Sequence, residues 1–145
     1  MIEAHEQTPV TASLVSDDAR LDFLPFYFGP RLMMRAEALV YGWMGRLSKD
    51  YTGAYWHYYT LSNGGFYLAP AYDGQMRVEV AGNWFEGELS ADAAGIVATL
   101  FALSQIAAEA QAKGLDADAL IDRYHFLRDF AAEHAEGPAI FRAID

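Results

Sequence analysis

Residues 56–70 read WHYYTLSNGGFYLAP, two aromatic-rich runs that flank Ser-Asn-Gly-Gly. From Trp56 to Leu61 the side chains alternate between two faces, which indicates a β-strand. Asn63-Gly64 is the commonest signal for a two-residue hairpin turn, in which both positions need a positive φ. Gly65 is a candidate bulge residue beside it. The stretch therefore predicts a β-hairpin; a phosphate-binding loop is the weaker alternative, since no helix follows the glycines.

A third run, MRVEV at residues 76–80, alternates apolar and charged side chains and predicts a third strand of an antiparallel meander. Capping residues and apolar spacings of three and four predict helices on both sides of these strands. The expected helices start at Ser16 (limited by Pro25), at Gly29-Pro30, at Ser90 (ending near Lys113 and Gly114) and after Asp116 (closed by Gly137-Pro138). The predicted fold class is α+β, a single compact domain with a small three-stranded antiparallel sheet packed with about four helices.

The first 15 residues are polar and aperiodic, so residues 1–15 are predicted to be a flexible N-terminal arm and residues 16–145 the domain. This N-terminus lacks the basic start and apolar core of a signal peptide. The apolar stretch 93–108 is shorter than the roughly 20 residues that span a bilayer. We therefore expect a cytoplasmic protein with no membrane partner.

The chain carries 20 Asp and Glu against 10 Lys and Arg, a net charge of −10. Phosphate binding needs clustered cations, so direct nucleic-acid binding is not expected. An acidic surface is suited to a basic partner, although solubility alone also explains such a charge.

Cofactor and metal chemistry finds little support in the sequence. There is no cysteine, which excludes disulfides, thiolate zinc sites and cysteine nucleophiles. No two histidines form an HxxxH pair, and the Asp122–His125 pair lacks the second copy that a carboxylate-bridged metal site needs. No metal and no cofactor is predicted.

Three sets of residues allow an enzyme hypothesis. A triad of Ser62, His57 and an acid lacks a strained nucleophile turn around Ser62. Glu86 and Glu88 could act as paired carboxylates, and His57 with Glu86 is the best-fitting catalytic pair. The sequence gives no sign that any of these groups share a pocket, so no catalytic residue is assigned.

The last predicted helix carries acidic residues on one face, at a spacing close to that of phosphates on one DNA strand. This acidic face consists of Asp118, Asp122, Asp129 and Glu133. It allows the hypothesis of a DNA mimic that competes for the DNA site of a restriction enzyme. An ordinary solvated helix face has the same pattern.

Four stretches together resemble the ArdB/KlcA family of antirestriction proteins. They are WHYYTLSNGGFYLAP (56–70), FEGELSADAAGI (85–96), FLPFYFGPRLM (23–33) and RYHFLRDFAAEH (123–134). The resemblance runs from about Arg20 to the end of the chain. It implies a small, cytoplasmic, non-enzymatic α+β protein of plasmids or other mobile elements, which protects incoming DNA by inhibiting cleavage, rather than methylation, by host type I restriction systems.

The implied partner is the host type I restriction–modification complex, reached directly or through another cell component. The candidates for partner contact are the polar residues of the matching motifs and the C-terminal residue: Ser62, Asn63, Glu86, Glu88, Asp92 and Asp145. Each also has a structural interpretation. Ser62 and Asn63 suit a turn, and Glu86 and Glu88 suit a solvated loop. Asp92 suits the first turn of a helix, and Asp145 is the last residue of the chain. A purely structural role within another complex is a further alternative. The sequence does not indicate the oligomeric state.

Overall fold

Two antiparallel sheets and five α-helices make up residues 8–145, the part of the chain that the computed structural model describes. The strands are β1 (Ala12–Leu14), β2 (Trp56–Leu61), β3 (Phe66–Pro70), β4 (Gln75–Val80) and β5 (Phe85–Ser90). The helices are α1 (Arg20–Phe28), α2 (Met33–Leu47), α3 (Ala91–Ala112), α4 (Asp118–Ala132) and α5 (Gly137–Ile144). The predicted α+β class is confirmed, with five helices instead of about four.

The three-stranded sheet has the order β1-β2-β3, and β4 pairs with β5 in a separate sheet. The predicted meander with β4 as its third strand is therefore wrong. The strand β5 is not predicted by the sequence, because Gly87 between two glutamates is typical of a solvated loop. In the structure the Phe85 ring covers Gly87, with its Cζ 3.1 Å from where a Cβ would stand. The Phe85 ring therefore covers the side of β5 where residue 87 has no side chain, and the strand can form despite the glycine.

The turn between β2 and β3 is a three-residue loop rather than the predicted two-residue one. The Gly64 N–H donates to the Leu61 carbonyl at 3.0 Å, and the Leu61 N–H donates to the Gly65 carbonyl at 2.9 Å. Gly64 has φ +95°, whereas Asn63 is not at positive φ. This combination is a type I turn followed by a left-handed bulge residue. The bulge glycine is Gly64, not Gly65.

Ala12–Leu14, within the predicted arm, pair with β2 from Ala12↔Leu61 to Leu14↔Tyr59. Residues 1–7 of the arm lie outside the described residues. Pairing with a neighbouring strand supplies hydrogen bonds that a polar, aperiodic sequence does not reveal.

Three predicted helix boundaries are also wrong. Pro25 lies inside α1, which continues to Phe28. The second helix begins at Met33 instead of Pro30. Gly137 and Pro138 open α5 instead of ending α4. Proline suits a first helical turn because its missing N–H would have no helical partner there.

Helix α3 is the centre of the core and packs against β3, α2, α4 and α5. Its length and composition alone would allow it to cross a membrane, but 72% of its apolar window is buried inside the fold, as in a soluble core helix. The backbone of α3 meets the backbone of β3 at Gly95. A Cβ there would stand 2.5 Å from the Leu68 carbonyl oxygen. Thr99 Oγ1 accepts the Leu68 N–H at 3.2 Å, and its one hydroxyl proton is shared between the Gly95 carbonyl oxygen at 2.8 Å and the Leu68 carbonyl oxygen at 3.3 Å.

Candidate functional site

Five polar residues from β3, the start of α3 and the segment after α4 are joined by hydrogen bonds. This Asp92 cluster consists of Tyr67, Ser90, Asp92, His134 and Glu136. The Tyr67 hydroxyl donates to Asp92 Oδ1 at 2.7 Å, and His134 Nε2 lies 2.8 Å from Asp92 Oδ2. Both carboxylate oxygens of Asp92 are therefore held by side chains from other elements.

The cluster also caps α3. Ser90 Oγ accepts the Ala93 N–H at 3.1 Å, which confirms the predicted N-cap, and donates to Glu136 Oε2. The Ser90 N–H donates to Glu136 Oε1 at 2.9 Å. The Glu136 N–H donates to His134 Nδ1 at 2.9 Å, so the ring proton of neutral His134 lies on Nε2 and faces Asp92.

Electrostatics favour an ionised Asp92. Burial acts to raise the pKa of Asp92, but hydrogen bonds from His134 and Tyr67 outweigh it and hold the pKa below its ordinary value. The hydrogen bond to Asp92 raises the pKa of His134. Burial, followed by the hydrogen bond to Asp92, raises the pKa of Tyr67, so its phenol stays protonated. A second proton on His134 must displace the Glu136 N–H from Nδ1.

Beside the cluster lies a groove of about 410 Å³, bordered by His57, Tyr59, Tyr72, Asp73 and Asp92 among others. Within residues 8–145, no group of three or more His, Asp or Glu side chains is placed to hold a metal ion. The hydrogen bonds of Asp92 with Tyr67 and His134 fix the start of α3 against β3 and the α4–α5 connection.

The two hairpin candidates, Ser62 and Asn63, make contacts within the molecule. Ser62 is exposed, and its Oγ accepts the Thr11 N–H at 2.9 Å. Asn63 is half-buried; its Nδ2 donates to the Phe126 carbonyl of α4 at 2.9 Å, and its Oδ1 accepts the Gly65 N–H at 3.0 Å. The turn thus docks the hairpin onto α4, and its contact with a partner stays a prediction.

Glu86 and Glu88 lie on the outward side of β5, not in a loop. Opposite them on β4 are Glu79 and Arg77, in the register Glu79↔Glu86 and Arg77↔Glu88. We call these four exposed residues the hairpin face. Arg77 and Glu86 form an ion pair at 2.7 Å. Asp145 borders a groove with Glu86, whereas Asp92 borders another groove.

All four residues of the acidic face are exposed along α4 and its C-terminal end. The arginines beside it are engaged elsewhere: Arg123 donates to the Tyr27 carbonyl at 2.9 Å, and the Arg128 guanidinium lies 5.1 Å from the Phe141 ring. The acidic face is therefore accessible to solvent, as it would be both in a DNA mimic and in an ordinary solvated helix.

The structure does not bring the best-fitting catalytic pair together. His57 lies on β2, whereas Glu86 lies on β5 of the other sheet. The two side chains border different grooves. Ser62 lies in the hairpin loop beyond the end of β2, with Thr11 as its hydrogen-bond partner.

The sequence reasoning missed three residues of these regions: His134, Glu136 and Trp84. His134 and Glu136 lie in the four-residue connection between α4 and α5, and a short connection in which three of the four residues are titratable was an available signal. Trp84 lies in AGNWF, where a large aromatic residue in a turn was a second signal.

A pH-dependence follows from the Asp92 cluster. Asp92→Asn is expected to lower the free energy of unfolding by about 1–2 kcal/mol near pH 6, because it removes a charged hydrogen-bond acceptor. The folded-state pKa of Asp92 is lowered, so its contribution is present above the ordinary value of about 4 and is lost as pH falls through the folded-state value. The folded-state pKa of His134 is raised, so the contribution of its protonation is complete below about 6.5 and is lost as pH rises through the folded-state value.

The difference between wild type and Asp92→Asn should therefore be largest between pH values of about 4 and 6.5, and should shrink on the acid side. Urea unfolding from pH 3 to 8 measures it. Asp122→Asn, which removes the same charge from an exposed position, is the control. A difference that stays constant with pH would contradict the role assigned to Asp92.

Comparison with known proteins identifies the class. A family model described as antirestriction protein matches residues 49–145. The chain belongs to this family, which confirms the sequence resemblance.

Among its relatives, two Escherichia coli proteins are each called antirestriction protein KlcA. One is 70% identical over 141 residues, covering 97% of this chain and 98% of its own, and the other is 63% identical over 147 residues, covering 100% of both. A solved structure matches with a TM-score of 0.87 and 68% identity, covering 99% of this chain and 100% of that one. It comes from the KlcA and ArdB proteins, described as having a novel fold and antirestriction activity against type I DNA restriction systems in vivo but not in vitro.

Proposed function

We propose that this protein relieves type I restriction of incoming DNA inside the cell, inhibiting cleavage rather than methylation, without catalysing a reaction. The observation that supports this proposal is the similarity, over almost the whole chain, to a structure of proteins described as having antirestriction activity against type I DNA restriction systems in vivo but not in vitro. A requirement for the cell suits a protein that acts through a component absent from a purified reaction. The partner is the host restriction–modification complex or a factor that reaches it, and the location is the cytoplasm.

The arrangement of polar groups supports a non-catalytic role. The Asp92 cluster combines a tyrosine, a histidine and two carboxylates, but its hydrogen bonds are directed at one another and at the first turn of α3. An acid–base catalyst needs a proton donor or acceptor within reach of a substrate. The cluster is better suited to hold the shape of the surface around it.

The test is the plating of unmodified phage on cells that carry a type I restriction system, with and without this protein. Recovery of plaques with methylation of the progeny DNA intact is the expected result. If plaque numbers stay at the restricted level while soluble, folded protein accumulates, the proposed function is wrong. A purified restriction reaction run in parallel tells whether inhibition needs other cell components.

DNA mimicry by the acidic face is the second candidate function. Its support is the exposure of four carboxylates on one side of α4. Activity that is absent in vitro argues against it, because a competitor for a DNA site would also compete in a purified reaction.

Neutralising all four residues of the acidic face is expected to leave plaque recovery within about twofold of wild type, because an activity seen in vivo but not in vitro does not suit competition for a DNA site. The variant carries Asp118→Asn, Asp122→Asn, Asp129→Asn and Glu133→Gln. Circular dichroism confirms its folding. A loss of recovery to the restricted level would instead establish mimicry through this face.

A further inference from the structure

Trp84, at the tip of the β4–β5 hairpin, combines two features that packing does not explain. Its side chain is 90% exposed. It is also the one non-glycine residue among residues 8–145 with a positive φ, at +62°. In this region the Cβ of an L residue crowds the following carbonyl oxygen, so a bulky residue there is a genuine outlier. The chain thus holds a large aromatic group in water and in a strained conformation.

The surrounding structure imposes this conformation through Asn83. Its Nδ2 donates to the Ala143 carbonyl at 2.7 Å, and its Oδ1 accepts the Phe85 N–H at 3.0 Å. The Ala143 carbonyl is one of the last in α5, where helical carbonyls have no N–H partner of their own. Backbone strain that is fixed in this way by neighbouring contacts is concentrated at binding and active sites.

Trp84 stands between two grooves on this end of the molecule. One, of about 730 Å³, is also bordered by Trp43, Phe85 and Phe101. The other, of about 500 Å³, is bordered by Asn83, Glu86 and Arg142 among others. An exposed indole flanked by depressions matches the core of a protein interface, in which aromatic anchors carry much of the binding energy.

The adjoining hairpin face is acidic in a way that does not serve stability. Glu79 and Glu86 lie directly opposite each other on β4 and β5, and like charges in this arrangement repel. Arg77 is the single cation of the face and is paired with Glu86. Arg46 and Arg142 border the grooves, and the Arg46 guanidinium lies 4.8 Å from the Trp43 ring. The three glutamates of the face therefore outnumber its cation.

From these observations we propose that Trp84 and the hairpin face form the surface through which this protein contacts its partner, and that the partner presents a protein surface rich in arginine and lysine. An arginine of that surface would lie over the Trp84 indole in a cation–π contact, with neighbouring cations on Glu79 and Glu88. The inference rests on the proposed antirestriction function and names the surface that performs it. DNA does not fit this surface, because glutamates repel phosphates.

The first test is Trp84→Gly in the phage-plating assay. Glycine tolerates positive φ, so the folded protein should unfold at the same or a higher temperature than wild type. Plaque recovery should nevertheless fall by about tenfold or more, as for a central aromatic residue of an interface. Trp84→Tyr, which keeps an aromatic face, should retain most of the recovery.

Leu21→Ala is the matched control, because Leu21 is 91% exposed on α1 and should be replaceable without loss. If wild type restores plaques and Trp84→Gly does so equally, the inference is wrong and the proposed function stands. If wild type itself restores none, both are wrong.

The second test concerns charge. Neutralising the hairpin face with Glu79→Gln, Glu86→Gln and Glu88→Gln should lower plaque recovery by about tenfold, whereas neutralising the acidic face of α4 should not. If the hairpin-face variant leaves plaque recovery unchanged, the proposal of a partner with a basic surface is wrong. A loss confined to the α4 variant would overturn it as well, in favour of DNA mimicry.

Discussion

Gly95→Val is expected to give no folded protein, and Gly95→Ala to lower the free energy of unfolding by about 3 kcal/mol. A Cβ on residue 95 would stand 2.5 Å from both the Ala69 Cα and the Leu68 carbonyl oxygen. Backbone atoms cannot rotate away as the end of a side chain can, so β3 and α3 must separate. Separation also breaks the hydrogen bonds between Thr99 and Leu68. Urea unfolding followed by circular dichroism measures the alanine variant.

Gly45→Ala is the matched control. Gly45 lies on the exposed side of α2, and a Cβ there would meet nothing within 4 Å. Alanine should raise the free energy of unfolding by about 0.5–1 kcal/mol, because glycine weakens a helix interior. If Gly95→Ala unfolded at the same urea concentration as wild type, the close approach of α3 and β3 would be wrong.

Phe66→Ala is expected to lower the free energy of unfolding by about 4 kcal/mol, in the range for a buried aromatic residue. Phe66 is fully buried, at the start of β3. Its ring centroid lies 4.5 Å from that of Tyr27, 5.1 Å from that of Phe28 and 5.6 Å from that of Phe23. Alanine would leave a cavity between the hairpin and α1 that rigid rings cannot fill. Thermal and urea unfolding both report the loss.

Phe26→Ala makes the same chemical change on the exposed side of α1, where the Phe26 side chain is 65% exposed. Its expected effect is below about 1 kcal/mol, because surface substitutions change stability little. Equal effects of the two substitutions would contradict the assignment of Phe66 to the core. A plating assay on both variants tells how much of any functional loss follows from stability alone.

The two patterns that predicted the fold class were local ones. Alternation in WHYYTL and MRVEV marked strands, and Ser90 before an apolar run marked the start of α3. Alternation shows which side of a strand faces the core but does not name the neighbouring strand. The pairing of β4 with β5 therefore could not be predicted, and β5 itself was hidden because the Phe85 ring takes the place of a side chain at Gly87.

The helix boundary at Gly137-Pro138 was ambiguous for a different reason. Glycine followed by proline is typical of the end of one helix and also of the first turn of the next. A tertiary contact decides between the two possibilities in this chain, because a Cβ at Gly137 would lie 2.6 Å from the Ala131 carbonyl oxygen. The close passage of α5 past the end of α4 is not visible in the sequence.

The same limit applies to the candidate site. Asp92 was predicted in the first turn of α3 from its sequence neighbours, but its partners Tyr67 and His134 lie 25 and 42 positions away. The backbone conformation of Trp84 depends on the hydrogen bond that Asn83 donates to the Ala143 carbonyl of α5, and Ala143 lies 60 positions after Asn83. Contacts of this kind require the fold, whereas N-caps and amphipathic faces do not.

The central position of α3 has a consequence for the synthesis of the protein. Both sheets and the first two helices precede α3 in the chain, yet α2 and β3 bury their apolar sides against it. At roughly 5–20 residues per second, a ribosome needs on the order of 3 to 11 seconds to deliver residues 91–145. The β2–β3 hairpin can close within microseconds, but the side of β3 that will meet α3 stays open to other nascent chains and to chaperones. The yield of folded protein is therefore expected to depend on how well this side of β3 is protected during that interval.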